Sequence, residues 1–192
     1  NCSIYYPEFG EYMFNKNGCW YPIKELLRRD VVSSLEFVRP DTPTKEFKGG
    51  TYTGKTLPDV LKNAVEIDED LWVYVAPVNT AILYATEYRV FCVGDLPVTA
   101  SSYRSYDKHN TKIEIPESVY DFVYEILDEV SYRPDPVFAL DIIGTHDNYY
   151  IMEVSPWACA GMYNCDIPAL VEAIHNYYIH YKDLHNELMG SA

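Results

Sequence analysis

Positive charge is scarce in this chain: 15 Lys and Arg stand against 29 Asp and Glu, a formal charge of -14. A surface of that sign repels a polyanion, which excludes broad nucleic-acid binding through phosphates. Long apolar runs are missing too, so no stretch reads as a membrane span, and no signal peptide heads the chain. The five cysteines (Cys2, Cys19, Cys92, Cys159, Cys165) form no CxxC pair and are odd in number. A secreted disulfide framework is therefore disfavoured, and free thiols in a cytoplasmic setting are expected. No HExxH pair and no Ser/His/Asp or Cys/His arrangement is visible.

Tyrosine is abundant, at 19 of 192 residues, which suits half-buried, aromatic-rich strands. With 48% hydrophobic and 23% charged residues, the chain can bury a core as one domain or two small ones. Residues 1–18 are turn-rich and resist assignment. The spacing of Ile23, Leu26 and Leu27 predicts a helix over Trp20–Asp30, followed by a strand from Ser34 to Arg39. Helices are further expected over Leu57–Ile67, Pro116–Tyr132 and Ile167–Met189. The stripe of the second comprises Val119, Phe122, Val123, Ile126, Leu127 and Val130. Strands are expected at Leu71–Val78 and Tyr84–Val93, the latter turning at Gly94-Asp95 into Leu96–Arg104, with a loop over 105–115. Antiparallel hairpins with segregated helices give the class α+β.

The chemistry concentrates in the stretch from Val137 to Tyr163. Two apolar strands, Val137–Ile143 and Tyr149–Val154, flank a turn and carry one acid each, Asp141 and Glu153. A carboxylate on a buried strand is costly unless hydrogen-bonded or bound to a cation, so two on paired strands suggest a shared metal. They are 153 − 141 = 12 residues apart and face one another only if the strand register brings both to one side. Elsewhere, Arg39, Lys45 and Lys48 gather around Gly49, Gly50 and Gly54, a composition suited either to phosphate or to a plain solvated loop. Val73, Val75 and Val78, beside Pro77, form a slot a flat base could use, or an ordinary core strand. Glu87 and Arg89 share a strand face, placed for anions and hydroxyls if it lines a cleft.

Arg39-Pro40, Lys45, Phe47 and Gly49, then Glu87-Tyr-Arg89, Leu140-Asp141-Ile142 and Met152-Glu153-Val154-Ser155, taken in order, resemble the ATP-grasp superfamily. The clade they are most similar to is the phage and bacterial one with one conserved arginine and two lysines. The resemblance covers about residues 31–170 and implies two α+β subdomains with antiparallel sheets holding ATP between them. Residues 1–30 would be an N-terminal remnant of a preceding domain, since the chain opens at Asn1; 31–78 the first subdomain; and 79–192 the second. The implied activity is ATP-dependent ligation of a small-molecule or peptide carboxylate to an amine (or thiol) through an acyl phosphate. The implied alternatives are a catalytically reduced nucleotide-binding module and an ATP-dependent phosphotransferase. The implied location is a bacterial or phage-infected cytoplasm.

By the same resemblance, Arg39, Lys45 and Lys48 hold phosphates, and Val75, Ala76 and Val78 hold adenine. Glu87 and Arg89 meet the nucleotide, with Arg89 and Lys45 acting in catalysis. Asp141, Glu153 and Ser155 bind Mg²⁺. Ser155 departs from the asparagine usual at its position in that family, and Trp157 with Gly161-Met-Tyr163 resembles the loop bordering the acceptor.

Overall fold

Strand-forming runs, each broken by a Gly, Pro or Asp turn, organise the chain into two antiparallel sheets. The computed structural model describes residues 1–28, 35–42, 46–53, 56–62, 68, 70–106, 108–146 and 148–190. It divides into two compact units, Asn1–Thr80 and Ala81–Ala192. Helices and antiparallel strands coexist, so the class is α+β as expected. Among the described residues no helix is long and apolar enough to cross a membrane.

The first unit contains α1 (Cys2–Phe9), β1 (Cys19–Pro22), α2 (Ile23–Arg28), β2 (Glu36–Pro40), β3 (Gly50–Tyr52), α3 (Thr56–Lys62) and β4 (Trp72–Pro77). Its strands order as β1-β4-β2-β3. The helix expected from Trp20 begins only at Ile23, because Trp20 and Tyr21 are drawn into pairing with Tyr74 and Val73 of β4. There the indole ring meets Tyr74 at 4.8 Å and Tyr6 at 6.2 Å, so aromatic packing overrides helical periodicity. The unassigned N-terminus forms α1, whose Tyr5, Tyr6 and Phe9 are buried. The glycine-rich loop after Arg39 likewise supplies a strand, β3, paired with β2. Gly18 is required by close approach, since a Cβ there would meet the Tyr74 ring at 2.3 Å. Ile23, Val38, Phe47, Leu57, Leu61, Leu71, Val73 and Val75 form the core.

The second unit holds β5 (Thr86–Val93), β6 (Leu96–Ser105), β7 (Lys108–His109), α4 (Glu117–Glu129), β8 (Val137–Gly144), β9 (Tyr149–Pro156) and α5 (Ile167–Gly190). The sheet orders as β7-β6-β5-β8-β9. Gly94 turns β5 into β6 at φ 58°, a left-handed geometry that favours glycine. On α4, Val119, Val123, Ile126 and Leu127 are buried as the period demands, whereas Phe122 is half-buried against the ring of Tyr149. One sheet face is apolar along half its length, where Phe91, Val93, Val137 and Ala139 pack with Cys165 and Leu170. The polar residues lie on the rest of that face. All five cysteines are free.

The first N–H groups of α1 have no local side-chain cap, because Asn1 makes none. Asp41, far along the chain, supplies it: its Oδ1 accepts from the Ser3 N–H at 2.8 Å. Burial alone would raise the Asp41 pKa, but the Ser3 and Cys2 hydrogen bonds prevail and hold it below the usual carboxylate range. A lowered folded-state pKa contributes stability above the ordinary aspartate range, which drains away as pH falls toward the folded value. Asp41→Ala should therefore lose about 1 kcal/mol at neutral pH, with the gap from the parent narrowing in acid, as read by urea midpoints across pH.

Candidate functional site

In the second sheet, strand register sets a row of polar residues side by side. Arg89 of β5 is paired with Ser101 of β6 and with Asp141 of β8, and Asp141 with Glu153 of β9. Directly paired residues project from the same face of an antiparallel sheet. Simple alternation could not deliver Glu153 here. Ile151 pairs with Ile142, on the opposite face from Asp141, so Glu153, two residues beyond Ile151, would follow it there. A bulge between Asp141 and Ile142 on the β8–β9 ladder, with Met152 as the extra residue, turns Glu153 back. A second bulge, between Glu87 and Tyr88 on the β5–β6 ladder, leaves Tyr103 as the extra residue of β6. Its ring turns toward Arg89, whose Cζ lies 5.6 Å from the ring centre.

The row is tightly bonded. Arg89 Nε donates to Asp141 Oδ1 at 2.7 Å, and Nη2 donates to Oδ2 at 2.8 Å, a two-point fork. Arg89 Nη1 donates to the Gly161 carbonyl at 3.2 Å. Glu87, 5% exposed, accepts from Arg104 Nη1 at 3.1 Å. Burial pushes the Asp141 carboxyl above its usual range; the Arg89 bonds oppose that, and the charges of Glu153 and Glu87 add to it. Burial would lower the Arg89 pKa, but Asp141 raises it, so the guanidinium stays charged at any working pH. Tyr103 is raised well above the ordinary phenol range by burial and then by the Asp141 and Glu87 charges, so it stays protonated.

The sequence profile of an ATP-grasp domain, family 2 of the R-2K clade, matches residues 23–173. The chain belongs to this family. No curated protein sequence matches it. The ATP-bound D-alanine–D-alanine ligase from Bacillus anthracis is similar at TM-score 0.52 and 13% identity, over 88% of this chain and 62% of that one. C-terminally truncated Cdc123 from Schizosaccharomyces pombe gives TM-score 0.50 and 13% identity, over 81% of this chain and 82% of that one. The ATP-grasp ligase PsnB, complexed with a minimal precursor, gives 0.47 and 19%, over 84% of this chain and 54% of that one. The chain thus spans about half the length of PsnB. At these identities the structural likeness is one of fold.

Within this ATP-grasp domain, five sequence-predicted residues fall on one sheet. Glu87 and Arg89 lie on β5, Asp141 on β8, and Glu153 and Ser155 on β9, Ser155 being opposite Ala139 on the same face. Arg39 lies on β2 of the first unit, paired with Tyr74 and 6.0 Å from the Tyr5 ring. Lys48 is exposed in the β2–β3 connection, and its carbonyl accepts from the Tyr52 hydroxyl. Lys45 lies outside the described residues. Val75 and Ala76 are buried in β4, where both pair with β2, and Val78 follows that strand. Sequence reading missed Tyr103, Arg104 and the Gly161 carbonyl, because bulges and loop carbonyls leave no mark on a period-two pattern.

Among the described residues, no group of three or more His, Cys, Asp or Glu side chains stands ready to hold a metal. The donors nevertheless suit Mg²⁺, which takes one or two carboxylates and completes its shell with water and phosphate oxygens. Asp141 and Glu153 are paired across adjacent strands, with Ser155 next along the same face. The Glu153 charge acts to raise the Asp141 pKa, a repulsion that a cation would relieve. Each Asp141 oxygen also keeps a lone pair beyond its bond to Arg89.

The Arg89–Asp141 pair is almost dry, its side chains 12% and 8% exposed. Removing one partner leaves the other charge buried. Asp141→Ala should cost about 3 kcal/mol in urea unfolding, and adding Arg89→Met to an Asp141→Leu background should recover much of that loss.

Proposed function

We propose that this ATP-grasp domain belongs to an ATP-dependent ligase that activates a carboxylate as an acyl phosphate and passes it to an amine or a thiol. The observation that carries the reading is the Arg89–Asp141–Glu153 row, bonded on one face of the second sheet. Phosphoryl transfer asks a protein for charge compensation and placement more than for a nucleophile of its own. The row provides both without any Ser, Cys or His nucleophile. The ATP-bound ligase of the same fold supports the nucleotide assignment, and the free thiols support a cytoplasmic setting.

In this reading Asp141, Glu153 and Ser155 hold Mg²⁺. When bound, the ion offsets phosphate charge and holds the transferring group in line. Arg89 offers its remaining N–H groups to the oxygens of that group. Glu87, oriented by Arg104, accepts from a nucleotide hydroxyl. Arg39, Lys45 and Lys48 address phosphates, with Lys45 and Arg89 acting in catalysis, and Val75, Ala76 and Val78 take the base. An oxygen of the substrate carboxylate attacks the γ-phosphorus, the bond to the β–γ bridging oxygen breaks, and ADP leaves. The acceptor's lone pair then attacks the acyl carbon; phosphate leaves with the bonding pair, and the acceptor releases a proton.

A second reading, a nucleotide-binding module with reduced catalysis, is favoured by Ser155, since a hydroxyl is a weaker metal donor than the family's usual amide. Calorimetry with Mg-ATP, followed by ADP release across carboxylate and amine panels, separates the two. Binding with acceptor-dependent ADP release supports the ligase, and binding without it supports the module. No binding at millimolar nucleotide removes both. Glu153→Gln should abolish metal-dependent ADP release, about 100-fold or more, while leaving the melting midpoint near that of the parent, because Glu153 is only half-buried.

A further inference from the structure

Arg89 is held at one edge by Asp141, and beside it lie two rings that the reading above leaves without a role. The Cζ of Arg89 lies 5.1 Å from the centre of the Tyr163 ring and 5.6 Å from that of Tyr103. The two rings stack on each other at 5.2 Å with their planes 10° apart. Tyr163 sits in the connection between β9 and α5, two residues after Gly161, whose carbonyl takes the Nη1 hydrogen bond. We propose that Tyr163 is a positioning residue for Arg89, setting the guanidinium's orientation through ring stacking and through the loop that carries Gly161.

Three independent observations carry this. First, Tyr163 adopts φ 46°, left-handed backbone that an aromatic residue enters at a steric cost; among the described non-glycine residues only Tyr106 shares it. Glycine or asparagine would fill such a turn more comfortably. Core burial does not explain the choice, because Tyr163 remains 40% exposed; its ring contacts are with Tyr103, His109 and Arg89. Strain of this kind persists where the surroundings over-determine it, and such places cluster at ligand sites.

Second, the loop is tied down from both sides. The Asn164 N–H donates to Ser101 Oγ at 3.1 Å, and its side-chain Nδ2 to the Thr111 carbonyl at 2.7 Å. The Asp166 N–H donates to Thr99 Oγ1 at 2.8 Å. Ser101 is the β6 neighbour of Arg89, so the loop is anchored on the same row that it covers. Third, Tyr103 lies on the Arg89 face of β6, two residues beyond Ser101, with its ring centre 5.6 Å from the Arg89 Cζ. Two separate elements, β6 and the β9–α5 connection, thus bring a stacked pair of rings beside one guanidinium.

The donor count shows what this orientation serves. A guanidinium has five N–H groups, and Arg89 commits three, two to Asp141 and one to Gly161. One remains on each terminal nitrogen. Asp141 fixes the plane's edge, and the rings resist rotation of the plane itself. The remaining pair is thereby held in fixed directions, as recognition of a tetrahedral oxyanion requires. This last step rests on the Mg-ATP reading; the positioning of Arg89 does not.

The test uses the whole chain with Tyr163→Phe and Tyr163→Gly, and Tyr163→Asn as a second residue at home in left-handed backbone. The primary readout is the Arg89 Nε–H signal in nitrogen-correlated NMR, assigned through Arg89→Lys, and its rate of exchange with solvent. Mg-ATP calorimetry and melting midpoints are measured alongside. Tyr163→Phe should keep the signal and the affinity. The Gly and Asn variants should shift the signal, speed its exchange and weaken Mg-ATP by about tenfold, with the melting midpoint held or raised. An unchanged Arg89 signal in either the Gly or the Asn variant overturns the proposal, even where the midpoint falls, since that combination marks a purely structural tyrosine. If the parent chain binds no Mg-ATP, the nucleotide reading fails, while the Arg89 signal still decides the positioning.

Discussion

A buried carboxylate with a guanidinium locked across it, Asp141 with Arg89, is the constraint on which the second unit depends. An ion pair this dry contributes little net stability compared with apolar residues of the same size, because desolvation offsets most of the attraction. Its presence in the middle of a sheet therefore calls for a reason other than stability. The surroundings point to that reason: Glu87 is nearly buried, Glu153 is brought alongside by a bulge, and Arg104 is turned toward Glu87 by another. Sheet regularity is given up in two places around a single arginine. Departures of that kind accompany function more often than folding.

The apolar half of the same face explains how the polar half is tolerated. Phe91, Val93, Val137 and Ala139 continue β5 and β8 beyond Arg89 and Asp141, and they pack against α5 and the loop before it. The opposite face is buried as well, through Val90, Cys92, Phe138, Leu140 and Ile142, and α4 buries an apolar stripe of its own. The sheet is thus held on both sides by ordinary hydrophobic burial, and the strained loop through Tyr163 is fastened to Ser101 and Thr99 on β6.

Much of this was legible in the sequence, and the misses have physical causes. The β8–β9 hairpin, both of its acids, the β5–β6 turn at Gly94 and the helices α4 and α5 follow from alternation, turn chemistry and the 3.6-residue period. The ATP-grasp relationship was readable from the order of short motifs, each too weak alone. Trp20–Pro22 was misread as helix because the partner that makes it a strand, β4, lies fifty residues away. β3 was hidden in a glycine-rich segment that looked like loop, and α1 in a stretch of turn-formers whose cap comes from the distant Asp41. The bulges were beyond reach for a related reason. They are properties of a strand pair, and the residue they displace, Met152 or Tyr103, looks ordinary within its own strand.

We propose the row that includes Arg89, Asp141 and Glu153 as a metal and phosphate platform. Its most direct test is an experimental structure of the chain with a non-hydrolysable ATP analogue and Mg²⁺. The account predicts a cation bonded to oxygens of both Asp141 and Glu153, at about 2.0–2.1 Å, with a phosphate oxygen completing the link to Arg89. A bound nucleotide whose metal touches neither carboxylate would contradict it.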